Sequence, residues 1–240
     1  MPTTEELFRS EPYTRVCTAT VVAVSNEGVV LDRTLFYPEG GGQPGDTGYL
    51  EPATGDRNLR IVDTVRTADG GILHLTEPFS ARPEPGARVN AVLDWSRRHR
   101  HMRMHTCLHL LCALVRGAKV TGGAVGADSG RLDFDRFDAA LTKEVLQHDL
   151  ARLIAEDHAV SARWISEDEL AAQPELVRTM AVRPPKGQGR VRLIEIDGVD
   201  LQPCGGTHVA RTGEVGRVEV VRIESKGRQN RRVNLRFATA

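Results

Sequence analysis

The sequence predicts an α+β protein, with a small β-barrel domain at residues 1–94 followed by an α+β domain at residues 95–240 whose helices cover an antiparallel sheet. Three observations carry this. Up to about Asp94 the chain is a series of short, β-branched segments parted by Gly, Pro, Asp and Asn, the pattern of an all-β unit. Near Asp94 the apolar spacing changes to the period of a helix. Beyond it, helices lie among many strands that do not alternate with them, which suits helices laid on an antiparallel sheet.

Residues 1 to about 15 read as a loose lead-in. The barrel strands are expected at Val16 to Val24, Val29 to Leu31, Gly48 to Leu50, Leu59 to Val65, Ile72 to Leu75 and Arg88 to Leu93. Between the second and third lies Phe36-Tyr37-Pro38-Glu39-Gly40-Gly41-Gly42-Gln43-Pro44-Gly45-Asp46, too rich in Gly and Pro for a regular element. Its glycines can expose backbone N–H groups to an anion or admit another chain, and it reads equally as a wide structural turn. It is neither a P-loop nor a dinucleotide fingerprint, because no Gly-Lys-Ser/Thr ends it and no helix follows. From Asp94 to about Gly117, Met104, Leu108, Leu111, Cys112 and Val115 form a helical stripe, with Asp94 or Ser96 to cap it and Gly117 to stop it. Strands are expected at Lys119 to Val125 and Arg131 to Phe134, then a long helix from Asp138 to Asp157. A strand at Val160 to Ile165 and a short helix from Ser166 to Ala172 follow. Arg183 to Gly189 is loop or linker, and strands at Arg190 to Ile196, Val215 to Glu224 and Arg231 to Phe237 end the chain.

A hydrophobic content of 40% with 27% charged residues describes a globular chain with a real core, and no apolar run approaches the length of a membrane span. The polar, acidic start Met1 to Glu6 lacks the basic-then-apolar pattern of a secretory signal. Cysteines at 17, 107, 112 and 204 make no disulfide framework, so a reduced, cytoplasmic setting is the expectation. Acidic and basic residues balance at 32 each, and overall charge announces no nucleic acid. Two local clusters, Arg97, Arg98, Arg100 and Arg103, then Lys226, Arg228, Arg231 and Arg232, read either as phosphate patches or as solvated faces.

The chemistry centres on His105-Thr106-Cys107-Leu108-His109 and Cys204-Gly205-Gly206-Thr207-His208. Two histidines four apart share one helix face, and the two glycines let Cys204 and His208 bend onto the same ion from a loop. Together they read as a zinc site. His99 and His101 compete for the helical role. His105 and His109 are preferred because they adjoin the apolar stripe, whereas His101 is expected in an exposed, Arg-rich turn. Thr106 stands where a metalloprotease carries its catalytic glutamate, which argues against a peptidase. Asp128, Asp133 or a substrate hydroxyl remain as acid/base candidates. Four protein ligands usually mark a structural zinc, so a non-enzymatic RNA-binding module is the alternative reading.

Four fragments in this order carry a resemblance: His105 to Leu111, Gly130-Arg131-Leu132-Asp133-Phe134-Asp135, Cys204 to His208, and Lys226-Gly227-Arg228-Gln229-Asn230-Arg231-Arg232. They resemble the editing domain of alanyl-tRNA synthetase. With the glycine-rich loop, nearly the whole chain resembles the free-standing AlaX editing family in its longer form. The resemblance implies hydrolysis of the ester joining a wrong amino acid, chiefly serine and secondarily glycine, to tRNA(Ala). A pocket shaped for alanine rejects those two weakly, since such differences are worth only about 1–3 kcal/mol. It also implies one zinc ion on His105, His109, Cys204 and His208, and Thr121 as the reader of the serine hydroxyl. Gly40, Gly41, Gly42 and Gln43 are placed near the site or against RNA, and Lys226, Arg228, Asn230 and Arg231 on the acceptor-stem backbone. Nothing in the sequence suggests ATP binding or a membrane.

Overall fold

The structure is a computed structural model describing residues 4–52, 57–78, 80–180, 189–227 and 230–239. It divides into two compact units, Met1–His99 and Arg100–Ala240.

In the first unit the lead-in is ordered. β1 (Glu5–Glu6) precedes a one-turn helix α1 (Leu7–Ser10) that buries Leu7 and Phe8. The sequence reading of a loose lead-in is thus corrected: an aromatic pair, Phe8 edge-on to Tyr37 at 5.5 Å, ties it down. The barrel strands are β2 (Val16–Val24), β3 (Gly28–Leu31), β5 (Gly48–Pro52), β6 (Leu59–Arg66), β7 (Ile72–Thr76) and β8 (Arg88–Leu93). Between β3 and β5 a two-residue β4 (Arg33–Thr34) pairs in parallel with β1. The six strands close in the order β2-β3-β7-β6-β5-β8, with each neighbouring pair antiparallel. Their inward positions supply the core: Ala19, Val21, Leu31, Leu50, Ile61 and Ala91 among others. Closure leaves no free sheet edge, which is how a barrel this small stays self-contained.

The division between units falls inside α2 (Trp95–Leu114). In the second unit, α2 is buried almost all round over its C-terminal half: Met102, Met104, Cys107, Leu108, Leu110, Leu111 and Cys112 are all in the core. A four-stranded antiparallel sheet runs in the order β14 (Val218–Ser225), β15 (Arg231–Phe237), β10 (Ser129–Phe134), β9 (Val120–Val125). α3 (Lys143–Ala155) packs on β14, where Gln147 clamps the backbone by donating to Val218 O and accepting from Val220 N, both at 2.8 Å. A three-stranded sheet, β11 (Val160–Ser166), β12 (Arg190–Ile196), β13 (Asp200–Pro203), completes the unit together with α4 (Glu167–Ala171), which Ser166 and Glu169 close with a capping box.

The expected α+β class and its helix-and-antiparallel-sheet architecture are the ones found, and three differences follow. α3 begins at Lys143, not Asp138, because the Asp138 side chain accepts from Ala140 N in a local turn and Thr142 caps the helix instead. Thr212–Val215 is a 3-10 turn, and the strand expected from Val215 starts at Val218, after Gly216 takes a φ of 71°. β13 was not expected at all. Most of the expected linker, Arg183 to Gln188, lies outside the described residues.

Candidate metal centre

The ligand atoms of His105, His109, Cys204 and His208 all lie within 4.8 Å of one another. α2 supplies the first two, one turn apart, and the loop after β13 supplies the others. Cys204 Sγ is 3.5 Å from His105 Nε2 and 3.3 Å from His208 Nε2. A tetrahedral zinc ion with ordinary Zn–S and Zn–N bond lengths sets sulfur and nitrogen about 3.5 Å apart, so this spacing is an edge of the right tetrahedron. The donor set, three imidazoles and one thiol in a buried site, fits zinc in kind as well.

Neighbouring groups hold these ligands in place. His208 Nδ1 meets Thr106 Oγ1 at 3.1 Å, which also accepts from Val209 N at 3.3 Å. Thr106, read from sequence only as the absence of a glutamate, is therefore the buried prop of the fourth ligand. Arg192 donates to the carbonyls of Cys204 (3.1 Å) and Gly206 (2.8 Å), and Gly206 N–H points at Cys204 Sγ at 3.4 Å. These contacts shape the glycine loop.

The electrostatics separate Cys204 from the other cysteines. Burial alone pushes the thiol of Cys107 up to about 12, and burial is the main cause that raises Cys112 and Cys17 to about 11. At Cys204 burial also disfavours the thiolate, but His105 and His208 outweigh it and take the thiol well below its ordinary value. His208 is pushed well down, by burial and then by repulsion from His105. For His109 burial works the same way but is overcome by Asp200 and Cys204, leaving it raised to about 9. Cys204 and His208 thus favour the ligand states a metal requires, whereas His109, raised by Asp200 and Cys204, gives up a proton when an ion binds.

His101, expected in an exposed turn, is buried, and its choice against His105 and His109 could not rest on exposure. The arginines preceding the histidines are also not a patch. Arg98 lies fully buried on Asp46, Arg97 donates to Gly45 O, Arg100 to Ala127 O, and Arg103 to Val215 O while lying 4.3 Å over the Phe237 ring.

Thr121 is the extra residue of a β-bulge, where Gly122 pairs with Asp133 but Val120 pairs with Phe134. Bulges re-aim a side chain. Its hydroxyl donates to Asp133 O at 3.3 Å and accepts from Asn230 Nδ2 at 2.9 Å. Asn230, grouped by sequence with the RNA contacts, is thus brought to Thr121. Of its companions, Lys226 pairs with Glu224 at 3.5 Å, Arg231 reaches Ser225 Oγ at 3.1 Å, and Arg228 lies outside the described residues. Asp133 is gripped by Arg232 through both oxygens, 2.7 and 2.8 Å, and by Arg131 at 2.8 Å, which lowers its pKa. That pairing makes it a poor proton acceptor. Asp128 is exposed and paired with Arg100.

The glycine-rich loop belongs to the first unit. Gly40 and Gln43 exchange backbone hydrogen bonds of 3.1 and 3.0 Å across a tight turn whose tip, Gly41 and Gly42, has φ of 59° and 81°, conformations a side chain would strain. The Gln43 side chain is buried. The loop base is fixed by Asp46, which accepts from Tyr37 N at 2.7 Å and from Arg98 Nε at 2.8 Å.

Residues 11–97 match the family described as tRNA synthetases class II (A), and residues 191–234 match the Threonyl and Alanyl tRNA synthetase second additional domain. The alanyl-tRNA editing protein AlaX-M of Methanosarcina acetivorans is 36% identical over 96% of this chain and 97% of its own length. The chain belongs to the AlaX-M family. The AlaX-M of Saccharolobus solfataricus is 32% identical with the same coverage of both chains. The alanine–tRNA ligase of Methanothermobacter thermautotrophicus is 37% identical over 93% of this chain but only 25% of the ligase, so the AlaX-M architecture corresponds to one part of that larger enzyme. Among the described residues no helix is long and apolar enough to cross a membrane.

Proposed function

We propose that this protein is a zinc-dependent deacylase that hydrolyses the ester of mischarged tRNA(Ala), seryl-tRNA(Ala) first and glycyl-tRNA(Ala) second, acting in trans in the cytoplasm and without ATP. Residues 1–94 form its accessory barrel and residues 95–240 its editing domain. The observation that carries the reading is the convergence of His105, His109, Cys204 and His208 on one point in a chain of the AlaX-M family.

Bound by these four, zinc would supply a positive charge that orients the aminoacyl end or a water beside the ester carbonyl. The chain's own residues do the rest. Thr121, its proton committed to Asp133 O and one lone pair to Asn230, keeps one acceptor site for the serine hydroxyl. Alanine offers no hydroxyl, so that acceptor stays unpaired and the correct product is held less well. Asn230 orients Thr121, while Lys226, Arg228 and Arg231 meet the acceptor-stem phosphates, giving affinity that weakens with salt. The exposed backbone of Gly40, Gly41 and Gly42, braced by Gln43, is a further surface for RNA.

The test is deacylation of seryl- and alanyl-tRNA(Ala) by the purified protein. Faster loss of serine than of alanine is expected; indifference to both would refute the proposal.

A further inference from the structure

The histidine ligand His109 is held from behind by the strand that leads to Cys204. The strand period sets Asp200 and Gln202, both buried, on one face of β13, and Cys204, just past its end with its N–H still on Arg192 O at 3.1 Å, continues the spacing of two. Gln202 Nε2 lies 2.7 Å from Asp200 Oδ2, a distance at which the amide must present its nitrogen, since two oxygens would repel. The same Nε2 is 3.1 Å from His109 Nδ1, and Asp200 Oδ2 is 3.4 Å from that Nδ1. An imidazole that binds a metal through Nε2 carries its proton on Nδ1. An amide NH2 cannot accept that proton, whereas the carboxylate oxygen beside it can. Asp200 Oδ1 is in turn 3.2 Å from Arg178 Nη1. Arg178 O accepts from Val120 N at 2.8 Å, and Met180 N returns a bond to Val120 O at 2.8 Å. The carboxylate therefore stands between His109 and the segment paired with the start of β9, one residue from Thr121.

We infer that Asp200 is a positioning residue that accepts a hydrogen bond from His109 Nδ1–H and fixes the ring with Nε2 toward the metal, its charge balanced by the ion pair with Arg178. Gln202 serves by orienting Asp200 and not as the acceptor. The inference rests on reading the four-residue cluster as a zinc site, and it concerns metal binding independently of which aminoacyl-tRNA is cleaved.

The test uses the full chain stripped of metal and titrated with Zn2+ against a chromophoric chelator. Cobalt(II) substitution follows ligand geometry in the visible spectrum, and circular dichroism follows folding. Asp200→Ala is expected to weaken zinc binding by about 10- to 100-fold, the usual cost of losing a carboxylate behind a histidine ligand, and to alter the cobalt spectrum. Asp200→Asn, which keeps an oxygen, should recover part of the loss. Gln202→Met should lose less than Asp200→Ala. Unchanged affinity in Asp200→Ala, or a loss in Gln202→Met equal to or greater than that in Asp200→Ala, would overturn the assignment. If Asp200→Ala does not fold, the comparison passes to Asp200→Asn and Gln202→Met, and a tighter Asp200→Asn would overturn it. A wild-type chain that takes up no zinc would instead refute the zinc reading itself.

Discussion

Replacing Thr121 by valine is the sharpest probe of substrate choice, because the change removes one oxygen and keeps the branched shape. The hydroxyl has one proton and two lone pairs. Its proton goes to Asp133 O and one lone pair to Asn230 Nδ2, so a serine substrate can only donate to the remaining lone pair. In the variant the serine hydroxyl enters the pocket without that acceptor, and Asn230 loses its own. A neutral hydrogen bond contributes about 0.5–1.5 kcal/mol net, and a buried polar group left unpaired costs about 1–3 kcal/mol. The expected loss in transition-state stabilisation is therefore about 1–3 kcal/mol, or about 5- to 150-fold in kcat/KM for seryl-tRNA(Ala). Glycyl-tRNA(Ala) has no hydroxyl to lose, and its deacylation should change far less. Both substrates are to be followed in parallel with wild type and Thr121→Val at matched protein concentration. Equal losses for the two would mean that Thr121 shapes the pocket generally, and no loss for either would remove it from the site.

Chelation of the metal should lower the thermal midpoint and stop deacylation, with recovery on adding zinc, since the ligand set contributes to the fold only when joined; a chelator-treated protein of unchanged midpoint and activity would sink the metal reading. Arg98→Met strands the Asp46 carboxylate in the barrel unit, where Arg98 and Asp46 are almost wholly buried, and should cost about 3–5 kcal/mol in urea unfolding; a cost under about 1 kcal/mol, the range of an exposed pair, would contradict it. His74 is neutral by construction. Its Nδ1–H donates to Val29 O at 3.1 Å and its Nε2 accepts from Thr34 Oγ1 at 2.7 Å, and burial depresses its pKa to about 4. Between pH 6.5 and about 4 the unfolded chain takes up a proton that the folded one refuses, so stability falls with pH across that window by about 3 kcal/mol. Urea melts of wild type and His74→Asn at several pH values check this, and parallel pH profiles for the two would refute it.

What the sequence made legible, and what it hid, follows from how far each signal reaches along the chain. Barrel strands and α2 announce themselves because alternation or helical spacing persists over several residues and turn residues bracket it. The convergence of His105, His109, Cys204 and His208 is readable because a candidate metal site restricts both residue type and local spacing. His101 was misjudged for a related reason: a stripe model gives a helix one buried side, whereas α2 is enclosed on nearly all sides in its second half, and period then says little about exposure. The residues that brace the site have no such signature. Thr121 is marked out by a single-residue bulge, visible only once β9 and β10 are in register. Asp200 and Gln202 sit on a four-residue strand next to the Asp197–Gly198 turn, ending at Pro203, too short for alternation to stand out. Once β13 is known to be a strand, however, Asp200 and Gln202 fall on one face by the period of two, and Cys204, a candidate metal ligand just past the strand's end, gives the two polar residues before it a reason to be buried. A brief polar alternation running into a candidate ligand cysteine is therefore a signal in its own right: burying an acid and an amide is costly unless they find partners, and here the amide of Gln202 donates to Asp200, whose carboxylate also lies 3.4 Å from His109 and 3.2 Å from Arg178.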